Sequence, residues 1–144
     1  MPQLSRFLYG MWPKKSKIVI ENFNDEDFYS SAYSDYKGCT HKRSFNISNF
    51  SLHVIDQIKG FNDKAVLRWH FNEGEQAVTI KEISNGIMLS DRNFNLELTT
   101  DSKIARYALK ETKKSLYYFE EHSSKVLEIE VNDSSTIHSL FTFF

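Results

Sequence analysis

The sequence predicts an all-β protein, an antiparallel two-sheet β-sandwich of about a dozen strands with little helix, and three features carry that expectation. From about residue 17 onward apolar and polar residues alternate with period two. Turn residues interrupt the alternation every 8 to 12 residues or so. About a dozen strands are too many for one open sheet of comfortable twist, which argues for two packed sheets.

In chain order, residues 17–22 read as the first strand, and the acidic stretch 24–27 as a short loop. Residues 41–47, 50–58 and 65–71 are β-rich runs separated by Ser48-Asn49 and by Gly60-Phe61-Asn62-Asp63. Asn72-Glu73-Gly74-Glu75 then divides the third run from another at 77–83. In Ser84-Asn85-Gly86, the Asn-Gly pair is expected to form a type I′ hairpin turn with positive φ at both central positions. Phe94, Leu96 and Leu98 alternate with Asn95, Glu97 and Thr99. Residues 103–109 and 115–120 are two further strands, the second apolar on both faces. The clearest strand is 125–131, where Leu127, Ile129 and Val131 face a core while Glu128 and Glu130 face water.

Composition narrows the function classes. With 40% hydrophobic and 15% aromatic residues, 5 Gly and 2 Pro, a chain of 144 residues builds a core without disulfide or metal staples. Its net charge of -1 removes the bulk electrostatic argument for nucleic acid or an anionic membrane. No apolar run approaches ~18 residues, so no membrane span is expected, and the start of the chain does not read as a secretory signal. The single cysteine, Cys39, reads as a small semi-buried filler. Residues 1–16 differ from the rest: Leu4, Phe7, Leu8, Met11 and Trp12 precede Pro13-Lys14-Lys15, as in a link from an upstream region. The sandwich domain is expected over 17–144.

Four pieces in order carry a family resemblance: Tyr33-Ser34-Asp35-Tyr36, His41-Lys42-Arg43-Ser44-Phe45, the run from Leu52 through Asp56 to Gly60, and Leu67-Arg68-Trp69-His70-Phe71. Together they resemble the C-terminal β-domain of the heparinase II/III-like polysaccharide lyases. The resemblance implies a β-sandwich packed on an upstream (α/α) toroid domain, with a cleft for acidic polysaccharide between the two. It implies a parent reaction that removes the proton α to a uronate carboxylate and expels the glycosidic oxygen by β-elimination. The family's H-x-H-x-D run, later Asp and His-Asn pair have no counterpart in this chain, so no catalytic residue is assigned and the isolated chain is expected to be inactive. Members are commonly periplasmic or secreted in bacteria.

Candidate substrate-binding residues are His41, Arg43 and Tyr36. His41 and Arg43 stand two apart on one strand and point the same way, with Lys42 on the reverse face. Arg43 has two readings: its planar fork grips a carboxylate or sulfate in the cleft, or it forms a cross-strand ion pair with an acidic residue such as Asp56. Tyr29, Tyr33 and Tyr36 precede that strand, either stacking on sugar rings or filling half-buried positions with their hydroxyls at the rim. His41, His53, His70, His122 and His138 show no HxH or HExxH spacing, and His53 and Asp56, three apart on one strand, point to opposite faces. No metal and no cofactor is expected. Lys14-Lys15-Ser16-Lys17 reads as a solvated loop, and Lys110, Lys113 and Lys114 as a basic hairpin turn.

The expected function is the non-catalytic β-sandwich portion of a polysaccharide lyase, forming one wall of an acidic-glycan cleft. The alternative is a free-standing carbohydrate-binding or assembly module without lyase activity.

Overall fold

A computed structural model describes residues 14–72, 78–114 and 121–144. The apolar stretch from Leu4 to Trp12, the body of the expected turn at 72–75 and the expected strand at 115–120 lie outside these residues.

The described residues form strands and connecting turns, without helix. The first six strands are β1 (Lys14–Lys15), β2 (Val19–Phe23), β3 (Glu26–Ser34), β4 (Thr40–Ile47), β5 (Ser51–Lys59) and β6 (Ala65–Asn72). There follow β7 (Thr79–Ile83), β8 (Gly86–Ser90), β9 (Phe94–Thr100), β10 (Ile104–Lys114), β11 (His122–Val131) and β12 (Ser135–Phe143). All pair antiparallel, in two sheets. The large sheet runs β1-β3-β4-β5-β12-β9-β8-β7, with β2 also on β3, and the small one runs β10-β11-β6. This is the two-sheet sandwich that the alternation predicts.

Period-two alternation assigns each side chain to a face, and the register then aligns faces between strands. On β9 and β8, Leu96, Leu98, Ile87 and Leu89 point inward together with Ile137 and Phe141 of β12 and Ile58 of β5. Leu67 of β6 and Leu127, Ile129 and Val131 of β11 close over them from the small sheet. The small sheet is too narrow to cover the large one. Among the described residues, the inner face of β2, β3 and β4 carries Ile20, Tyr29, Tyr33, Phe45 and Ile47, all well exposed. The larger sheet therefore overhangs the smaller by these three strands.

Five expectations need correction. The positive-φ pair lies not at Asn85-Gly86 but at Asn24 (φ 51°) and Asp25 (φ 66°), the two residues between Phe23 and Glu26. That is the backbone of a type I′ turn, so the expected acidic loop shrinks to a two-residue hairpin connection and Glu26 opens the nine-residue strand β3. Gly86 instead pairs with Ile83 and is needed because the Leu98 carbonyl occupies the space a Cβ would take. Lys14 and Lys15 are not a loop: they pair with Ser34 and Tyr33. Lys110 and Lys113 stand within β10, opposite Val126 and Ser123, not at a turn. Glu128 does not face open water but is only 8% exposed, because three cationic side chains lie over it.

Candidate functional site

Asp56 is the centre of the most organised polar cluster on the inner face. The register sets Arg43 of β4 directly opposite it, and His41 two residues earlier on the same face. Arg43 donates from Nε to Oδ1 at 2.7 Å and from Nη2 to Oδ2 at 3.0 Å, while His41 Nε2 donates to Oδ1 at 2.6 Å. Asp56 itself has 0% exposure. Burial pushes its carboxyl pKa up, but the hydrogen bonds from His41 and Arg43 outweigh this and hold it below the usual value. The ion-pair reading of Arg43 is thus the arrangement present.

The rest of the cluster fixes the guanidinium further. Its central carbon lies 4.9 Å from the centroid of Trp69, on the β6 edge of the small sheet. Trp69 donates from Nε1 to the buried Ser139 Oγ at 3.2 Å and meets Phe141 edge-on. Tyr33 meets His41 edge-on at 5.4 Å between ring centroids. With one edge on Asp56 and one face on Trp69, Arg43 remains 40% exposed along its side chain. A guanidinium has five N–H donors and Asp56 takes two, so the opposite edge is available to an outside acceptor.

Beyond Arg43 lies the overhang. Tyr29 and Phe45 stack across β3 and β4 with centroids 5.7 Å apart, and Tyr33 stands on the same face. Arg43, opposite Ser31, falls between the Tyr29–Phe45 pair and Tyr33, so these exposed rings make an aromatic shelf that flanks a fixed cation. Tyr36 does not join it: it sits in the β3–β4 turn with Lys37 Nζ 5.7 Å from its ring. Of the expected binding residues the structure brings His41 and Arg43 together and leaves Tyr36 apart. Trp69 was missed, since nothing in a single strand's alternation tells which residue of a second sheet lies over it; Phe45, two residues from Arg43 on the same strand, was within reach of the alternation that joins Arg43 to His41.

Other reactive groups are quiet. Cys39 packs against the core, and burial, with Asp35 nearby, pushes its thiol pKa up. On the outer face of the large sheet, His53 Nε2 and His138 Nδ1 lie 3.3 Å apart, with Phe28 edge-on to His53. Among the described residues no three His, Cys, Asp or Glu side chains converge as a metal site, and no helix is long and apolar enough to cross a membrane.

No family model and no curated protein matches this chain.

Proposed function

We propose that this chain is a glycan-contacting β-sandwich, the non-catalytic portion of a heparinase II/III-like polysaccharide lyase, forming one wall of a cleft for acidic polysaccharide. The observation that carries this reading is the overhang, where Tyr29, Tyr33 and Phe45 lie open beside Arg43. Aromatic faces take the C–H faces of pyranose rings, and the free guanidinium edge takes a uronate carboxylate in two parallel hydrogen bonds. Asp56 and Trp69 hold that edge in place before the ligand arrives, which lowers the ordering cost of binding. The partners on this reading are an upstream toroid domain, completing the cleft, and the polysaccharide. β-Elimination by the parent protein would need a base supplied from that other side, and His41 Nε2 is already committed to Asp56.

A second reading, a free-standing carbohydrate-binding module, is favoured by one observation: ring shelf, cation and anchoring carboxylate all come from this chain. Titration of the purified chain with a polyuronate oligosaccharide tests both. Tyr33→Ala and Phe45→Ala should weaken binding about tenfold with the fold intact, and no unsaturated uronate should accumulate. Absent binding, or binding indifferent to both substitutions, rejects the shelf; product formation by the purified chain rejects the non-catalytic role.

A further inference from the structure

The outer face of the small sheet holds more positive charge than its own carboxylates can satisfy. Glu128, on the central strand β11, accepts from Arg68 Nε at 2.9 Å and from Lys110 Nζ at 2.5 Å, with Arg106 Nη2 at 3.6 Å. Glu130, two residues on, accepts from Lys64 at 3.2 Å and from Arg106 at 3.3 Å. Four cations thus share two carboxylates, a local excess of two positive charges on a chain whose net charge is -1. The other described outward side chains of these strands, among them Val66, His70, Val126, Ala108 and Thr112, add no carboxylate. Hydrogen bonds from Lys110 and Arg68 hold the Glu128 carboxyl down at about 2.

We propose that this face is a second binding surface for acidic polysaccharide, with Arg68, Arg106, Lys110 and Lys64 holding its carboxylates or sulfates. The proposal rests on the glycan reading above and assigns that ligand an additional contact. The two glutamates fix the cations in an array, and each cation remains about half exposed. Arg68 bonds through Nε, so both its terminal nitrogens are left for an incoming anion. Arg106 and Lys110 stand four residues apart on β10, about 13 Å, and β6 lies two strand spacings away, about 10 Å. An extended chain carrying one anion per sugar or per disaccharide fits such a flat patch. Nucleic acid fits less well, because the described side chains of this face offer no Phe, Tyr or Trp on which bases would stack.

The test is calorimetric titration of the full chain with a sulfated polyuronate oligosaccharide at low and physiological salt. A neutral oligosaccharide and a single-stranded oligonucleotide of similar length serve as comparisons. Lys110→Gln removes one cation, and Ala108→Glu adds a carboxylate opposite Glu128 on the neighbouring strand, with thermal melts showing that each variant is folded. Both should weaken binding about tenfold and flatten its salt dependence. Should Tyr33→Ala weaken binding while both array variants bind like the parent, the array is wrong and the shelf stands. Equal or tighter binding of the oligonucleotide overturns the choice of ligand. If the parent chain binds no acidic oligosaccharide at low salt, the glycan reading fails and this surface with it.

Discussion

Arg43 lies between two partners of different kinds: its fork is closed on the buried Asp56 and its face rests on Trp69 from the opposite sheet. The first contact is made within the large sheet and the second across the sandwich, so this one side chain ties the overhanging strands to the small sheet's edge. Replacing it by Ala would strand a fully buried carboxylate with His41 as its remaining partner. Loss of about 3 kcal/mol in chemical denaturation is expected for Arg43→Ala, with Arg43→Lys recovering only part because the parallel bonds need the fork. A melting temperature unchanged by Arg43→Ala would contradict the anchoring role.

Stability should fall with acid in two stages. His53 is held below its ordinary 6.5 by burial and by His138, so the fold favours its neutral form. Its contribution is complete above that value and is lost as pH falls from there toward the lower folded value. The carboxyls of Asp56 and Glu128 are also held down in the fold, Glu128 to about 2 from an ordinary 4.5. Their contribution is complete above their ordinary values and disappears as pH falls through the folded ones. Urea titrations across pH should show both stages in the parent chain, and His53→Gln should remove the earlier one alone.

Gly86→Ala should destabilise by about 1–3 kcal/mol despite lying beside a hairpin turn. The added methyl meets the Leu98 carbonyl, part of the β8–β9 ladder that carries Ile87, Leu89, Leu96 and Leu98 into the core. Denaturation midpoints decide this; a neutral result would mean that the two strands approach less closely.

Cys39 should alkylate more slowly at neutral pH than a free cysteine, since burial and the nearby Asp35 disfavour its thiolate. Rates with iodoacetamide provide the measurement. Modification as fast as that of a small-molecule thiol would show a reactive cysteine.

Much of the architecture follows from local pattern. Alternation in 125–131 tells which side of β11 is apolar, and Leu127, Ile129 and Val131 are all fully buried. The same rule puts His41 and Arg43 on one face and sends His53 and Asp56 to opposite faces, as found. Strand β3 was harder to see because Tyr29, Ser31 and Tyr33 alternate with Phe28, Ser30 and Ala32, leaving no plainly polar side.

From the chain alone came the strand class, the two-sheet arrangement and the facing of side chains on the strands whose alternation was plain, because a pleated backbone turns successive residues to opposite sides whatever surrounds them. Only the tertiary structure decided that Trp69 lies over Arg43, that Lys110 and Arg68 converge on Glu128, and that three strands of the large sheet overhang the small one. Those relations depend on register and on how two sheets of unequal width superpose, which join residues far apart in sequence and leave no periodic trace along it.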